Sequence, residues 1–386
     1  MKSSLQRELN DFFGKVKGKD FGIQHVTKGA FSQARAKLKH TAFVEVSTSA
    51  ADFFYTNTPY RTWDKHRILA CDGSTLMLPN SVDIQSQFPA TGFGKNADSQ
   101  RSLAKVSLIY DVLNLVTLNA KIDTFQTHET ALLKQQLEEV RFVKNDILLL
   151  DRGYPSFALL YELQAKEIDF CIRLKDNWWK EINTMLENNE TDKIVTFTLN
   201  KKDNYLVEKF KSKTDKIRVR IVVIELENGV KEILCTSLFN QIEYKLIDLK
   251  QLYHLRWGIE EAYKLFKLRT DLESFSGLTA LSVKQDFYAA ILAMNMCAIL
   301  GFPIEEKVRE EFKQGKTGHE KSTNKTNIIA LITDSIVGIF IKNKVKTFLQ
   351  SFDKTILKTT ELVRRNRSFP RNHKQKKPKS MNYKQM

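Results

Sequence analysis

Tyr253, Arg256, Glu260 and Lys267 follow one another at intervals of three, four and seven residues in the stretch YHLRWGIEEAYKLFK. At about 100° per residue, one helix over Tyr253–Lys267 brings all four into a sector of roughly 60°. Leu252, Leu255, Ile259, Tyr263 and Phe266 form a separate apolar stripe, about 90° around the axis. A helix docked by that stripe holds a phenol, a guanidinium, a carboxylate and an ammonium in one row. The carboxylate is a ligand type for a hard cation, and the other three donate to phosphate oxygens. A solvated charged face has the same pattern, so the row gains meaning only from partners elsewhere.

Two acids upstream supply such partners. Asp72 follows the apolar run Ile68–Cys71, and Asp151 follows Ile147–Leu150. Each precedes a turn with glycine, which places an acid at a strand end facing a crevice; either alone also fits a turn-former or a helix cap. Were the two strands neighbours, both carboxylates would share one sheet edge, and Glu260 on a helix laid against it would complete a group of three. Three clustered carboxylates repel one another unless cations sit among them, so the natural occupants are one or two Mg²⁺ or Mn²⁺ ions. Two such ions about 4 Å apart activate an attacking oxygen and stabilise a leaving one in phosphodiester displacement.

The elements that must position these groups read as α/β. Residues 1–64 are mostly helical, with Thr27 capping a helix through GAFSQARAKLKHTAF that Lys28, Arg35, Lys37 and Lys39 decorate, a pattern that fits a small DNA-contacting module and equally a basic amphipathic packing helix. Residues 65–175 alternate strand and helix. A strand ends at Asp72, turns at Gly73–Thr75 and returns through Leu76–Leu78. Residues 86–101 are loop-like; 104–113 and 115–123 make a hairpin; 130–140 and 156–166 are helices; 146–150 and 168–174 are strands. Residues 176–240 form a β-rich insertion, in which VTFTLN, YLVEKF, IRVRIVVIEL and EILCTSLF alternate apolar and polar residues. Residues 241–303 contain the opening helix and a buried helix, Val283–Leu300. Residues 304–386 add a polar linker (305–327), an apolar helix (Ile328–Phe348) and a basic tail: Arg364, Arg365, Arg367, Arg371, Lys374, Lys376, Lys377, Lys379 and Lys384, with no acid among them.

Composition bounds the partners. Lys and Arg number 61 against 45 acids in 386 residues, for a formal charge of +16, which points to a polyanion, nucleic acid before membrane. The largely apolar run Phe287–Phe302 carries Asn295 and is shorter than the ~20 residues of a bilayer span, so it reads as a core helix and no membrane is expected. Cys71, Cys171, Cys235 and Cys297 stand far apart, which excludes the usual zinc frameworks and suggests buried thiols in a cytoplasmic protein. Gly315-Lys316-Thr317 lacks the rest of a phosphate loop, since position 310 is Glu, and no nucleotide cofactor is expected.

Taken together, these motifs make the chain resemble a DDE transposase of bacterial insertion sequences, in the Insertion Sequence 4 family. That family's signature, Y-x2-R-x3-E-x6-K, is met by Tyr253, Arg256, Glu260 and Lys267, and its two aspartate strands by LACDGST and LLLDRGYPSF. The resemblance implies an RNase H-like core, a mixed sheet flanked by helices, interrupted by a β-rich insertion. It implies Asp72, Asp151 and Glu260 as catalytic metal ligands, with two Mg²⁺ ions (or Mn²⁺) as cofactor. Tyr253, Arg256 and Lys267 would hold DNA phosphates. The implied activity is cleavage at the element's terminal inverted repeats and strand transfer into target DNA, by a homodimer on double-stranded DNA, in the bacterial cytoplasm at the nucleoid. In some relatives an aromatic of the insertion receives a flipped base, for which Trp178, Trp179 and Phe239 are candidates. The alternatives are a metal-dependent nuclease that does not rejoin DNA and a non-catalytic DNA-binding protein.

Overall fold

The structure, a computed structural model, describes residues 4–18, 26–92, 100–227, 229–316 and 318–363. The basic tail from Arg364 onward lies outside the described residues. In chain order the elements are α1 (Leu5–Lys17), α2 (Lys28–Ala36), α3 (Thr41–Asn57), β1 (Arg67–Met77), α4 (Val82–Gln87), β2 (Ala90–Gly92), β3 (Gln100–Asp111) and β4 (Val116–Thr124). Next come α5 (Glu129–Glu139), β5 (Asp146–Leu150), α6 (Phe157–Ala165), β6 (Asp169–Leu174), α7 (Lys180–Glu187), β7 (Asp192–Thr198), α8 (Tyr205–Lys209), β8 (Lys216–Glu225) and β9 (Lys231–Thr236). The chain continues through α9 (Leu246–His254), α10 (Trp257–Arg269), α11 (Ala280–Lys313), β10 (Lys321–Ser322), α12 (Lys325–Ile336), α13 (Val345–Lys358) and β11 (Glu361–Leu362).

A nine-stranded sheet runs in the order β2-β3-β1-β5-β6-β9-β8-β7, with β4 also paired to β3. β4, β3 and β1 are antiparallel, whereas β1, β5 and β6 are parallel neighbours. This five-strand core, helices on both faces, has the RNase H-like order. β9 then pairs antiparallel with β6, so the strands of residues 176–240 lengthen the same sheet instead of forming one of their own.

Period-two alternation sorts each central strand between two cores. Ile68 and Ala70 of β1, Ile147 and Leu149 of β5 and Cys171 of β6 face the side covered by α9, α10 and α11. Leu69, Cys71, Leu148, Leu150 and Ile172 face the side covered by α5, α6 and α7. The four cysteines are free and buried. Trp179 is buried and stacks on Trp178 at 4.5 Å and lies 4.4 Å from Phe197, so this pair serves the core of the second face.

Several elements depart from the sequence expectation. β1 is one strand of eleven residues, not a strand, turn and return. β3 supplies ladder partners from Leu69↔Asp111 to Met77↔Leu103, and these override the turn preference of Asp-Gly-Ser-Thr. Thr27 does cap α2, but that helix stops at Ala36. Gln285 donates to the carbonyls of Arg35 and Leu38 there, holding the turn before α3. Arg35 points inward, paired with Asp286 at 2.8 Å, and is no surface cation. YLVEKF forms α8, because Leu206 and Phe210 lie one helical turn apart and face the second core. Residues 82–92, expected as loop in part, hold α4 and β2. α11 continues past Leu300 through Pro303 to Lys313, because Ile304 and Val308 join a third core with Ile328, Phe348 and Phe352. The helix expected over 328–348 is divided between α12 and α13 by a wide π-type turn at Val337–Ile341 and by Asn343, whose φ is 50°. α11 is the one helix among the described residues long and apolar enough to cross a bilayer; here Phe287, Ile291 and Met294 pack into the first core.

Candidate active site

β1 and β5 pair from Arg67↔Asp146 to Ala70↔Leu149. Extending that register by two residues sets Asp72 level with Asp151. β5 and β6 pair up to Leu150↔Ile172, and the next step sets Asp151 level with Arg173. By alternation all three belong to the face that α10 covers. Asp72 is therefore mid-strand toward β3 but lies beyond the last paired residue toward β5. Its carboxylate lies 3.7 Å from Arg256, in the middle of β1 and not at a strand end as the sequence suggested.

The helix of the Y-R-E-K row is not one helix. α9 ends at His254 and α10 begins at Trp257, joined by a tight turn with i→i−3 bonds: Leu255 N to Leu252 O at 3.1 Å and Arg256 N to Tyr253 O at 3.0 Å. Leu255 and Arg256 keep right-handed helical dihedrals, so the row is tightened without being scattered. The turn fits because Gly258 lets α10 approach Val112; a Cβ there would lie 3.0 Å from the Val112 Cβ. The apolar stripe docks as expected, with Leu252, Ile259, Tyr263 and Phe266 buried.

Five of the six expected site residues lie together. Arg256 donates from Nη2 to Glu260 Oε1 at 2.8 Å, and its Nη1 is 3.7 Å from Asp72 Oδ2. Asp151, Glu260, Tyr253 and Arg256 line one open cleft of about 330 Å³, together with Arg152, Arg173 and Trp257. Tyr253 is buried in its wall, at 4% exposure. Lys267 is turned along the helix to β1, where Nζ donates to the Thr75 carbonyl at 2.8 Å. Asp151 accepts from Gly153 N at 2.7 Å, and Asp72 accepts from Gly73 N at 2.8 Å.

Burial pushes the Asp72 carboxyl up to about 6; the Gly73 N–H and Arg256 oppose this, while Asp151 and Glu129 add to it. Three participants were invisible in the sequence. Tyr263 belongs to the apolar stripe, yet its hydroxyl donates to the Asp72 carbonyl at 2.9 Å and ties α10 to β1. Arg173 sits third in the level row and forms an ion pair with Glu232 at 3.4 Å. Glu129, at the start of α5, occupies the space that a side chain on Gly73 would need and pairs with Lys105 at 3.1 Å.

The carboxylates are hard oxygen ligands, the correct chemistry for a divalent cation. Their arrangement does not yet fit one: among the described residues no three Asp, Glu, His or Cys side chains are grouped to hold a metal ion. Glu260 is engaged by Arg256 instead.

An RNase H-like sheet with one aspartate on its central strand and another just past the end of the neighbouring parallel strand defines the class of protein. The family follows from comparison with known sequences. Residues 63–296, more than half the chain, match the transposase DDE domain, and the chain belongs to that family. It is 25% identical over 277 residues to transposase InsG for insertion sequence element IS4 of Escherichia coli (strain K12), in agreement with the Insertion Sequence 4 motifs. That match covers 70% of this chain and 60% of the relative, so the chain spans about three-fifths of the length of the curated protein it matches. Among solved structures it is similar to the piggyBac transposase synaptic complex with hairpin DNA, with a TM-score of 0.44 and 12% identity, over 75% of this chain and 57% of that one. Membership of the family implies dependence on a divalent metal in general.

Proposed function

We propose that the chain is a cut-and-paste DNA transposase, cleaving DNA at the ends of an insertion sequence and transferring the freed strand into target DNA. The observation that carries this reading is the placement of Asp72 on β1 and of Asp151 just past the end of the adjacent parallel strand β5, beside the helix that bears Glu260. In this reading Asp72, Asp151 and Glu260 are the metal ligands, and Mg²⁺, replaceable by Mn²⁺, is bound as a pair of ions. Tyr253, Arg256 and Lys267 hold phosphates of double-stranded DNA, both the terminal repeats and the target. The guanidiniums of Arg152 and Arg173 in the same cleft support an anionic substrate.

The working unit is a homodimer pairing two element ends in the bacterial cytoplasm, without nucleotide cofactor or membrane. Residues 1–64, 65–175, 176–240, 241–303 and 304–386 divide into a DNA-binding region, the two halves of the core around the β-rich insertion, and the C-terminal region with its tail. Strand transfer of precut ends in Mg²⁺ tests the proposal: joined product is expected. Cleavage of uncut ends without any joining would favour the nuclease alternative.

A further inference from the structure

Glu260 is held by a neighbour at the joint of two helices. Arg256 sits between the C-terminus of α9, whose dipole favours a cation, and the N-terminus of α10, whose dipole disfavours one, and it precedes Glu260 by four residues, the weaker order for an ion pair along a helix. Its side chain is only 9% exposed, and its Nε is buried without a hydrogen-bond partner. A buried, unpaired N–H is costly. The guanidinium lies against two carboxylates, Glu260 at 2.8 Å and Asp72 at 3.7 Å, and its carbon is 5.3 Å from the Trp257 ring centre and 5.9 Å from that of Tyr253. One cation thus offsets two acids at the place where a metal ion would otherwise be needed.

We propose that Arg256 is an exchangeable counter-cation that couples DNA binding to metal binding. In the DNA-free protein it pairs with Glu260 and lies beside Asp72. When a backbone phosphate enters the cleft, Arg256 turns to it, Nε gains a partner, and Glu260 is released to take its place as a metal ligand. Arg152 and Arg173 line the same cleft and draw an anion to within reach of Arg256. No covalent bond of the chain is made or broken; the hydrogen bond from Arg256 to Glu260 is given up and one cation replaces another there. DNA and divalent cation then bind as mutually reinforcing ligands, each raising the affinity for the other by the same factor. This inference rests on the reading of Glu260 as a metal ligand.

The test is Mn²⁺ binding to the full chain without DNA, followed by the electron paramagnetic resonance of free Mn²⁺. Arg256→Gln is expected to bind Mn²⁺ about tenfold more tightly than the unaltered chain, the order expected from removing one charge-assisted competitor. Glu260→Gln should weaken binding, and adding Arg256→Gln to it should bring no gain. Unchanged or weaker Mn²⁺ binding by Arg256→Gln, beside a clear loss in Glu260→Gln, overturns the coupling and leaves Glu260 a ligand. No loss in Glu260→Gln overturns the ligand reading itself. A second measurement avoids altering Arg256: Mn²⁺ should tighten binding of a mixed-sequence duplex more in the unaltered chain than in Glu260→Gln. Equal effects in the two overturn the proposal.

Discussion

The Tyr263 hydroxyl donates to the main-chain carbonyl of Asp72 across 2.9 Å, joining the helix of Glu260 to the strand of the first aspartate at the point where both must be aligned. Tyr263 is buried, and its hydroxyl proton is held, with burial pushing the phenol's ionisation upward. The bond is therefore a fixed strut between two elements whose acids come from opposite ends of the domain.

Removing that strut separates alignment from folding. Tyr263→Phe keeps the ring and its packing and loses one hydrogen bond, so stability should fall by only about 1 kcal/mol. Activity should fall further, by about tenfold or more, because small misplacement of reacting groups is expensive. Urea unfolding and single-turnover cleavage, measured side by side, check this. Parallel small losses in both would show that the bond serves stability alone.

Gly73 matters for what it leaves vacant. A Cβ there would collide with the Glu129 side chain. Glu129 is flexible, so Gly73→Ala should expel it and break its pairing with Lys105, costing about 1 kcal/mol. In a double-mutant cycle, adding Glu129→Ala should recover most of that loss. Strictly additive costs would mean that the two positions do not interact.

How much of this could be read in the sequence differs by range of interaction. The Y-R-E-K row was legible because spacing along a helix is local. It survived the joint between α9 and α10 because the tight turn preserves helical dihedrals at Leu255 and Arg256. The pairing of the two aspartate strands could be posed as a condition, and the register meets it. Continuity of β1 was hidden, because Asp-Gly-Ser-Thr is locally a turn and only β3, far along the chain, makes it a strand. Tyr263 was hidden by its own ring, which counts as apolar in any periodicity. Glu129 was hidden because its approach to Asp72 depends on an absent side chain.

Burial of Asp72 gives a pH signature in metal-free protein. Its carboxyl lies at about 6, against an ordinary 3.8. A raised folded value means that the native state holds its proton more firmly, so this contribution to stability is complete below about pH 4 and is lost as pH rises through about 6. Asp72→Asn removes the buried charge. It should therefore be more stable than the unaltered chain near pH 8 by about 1–3 kcal/mol, with the gap closing below about pH 4. Urea unfolding with chelator at both ends of that range measures the difference. A gap that widens toward acid would contradict the assignment.

In the proposed function Asp72, Asp151 and Glu260 act as one metal centre. The direct measurement is Mg²⁺-dependent cleavage of element-end DNA by Asp72→Asn, Asp151→Asn and Glu260→Gln, each confirmed as folded. The account predicts that every one of the three slows cleavage by on the order of 10²-fold or more. Cleavage at the unaltered rate in any one of them would contradict it.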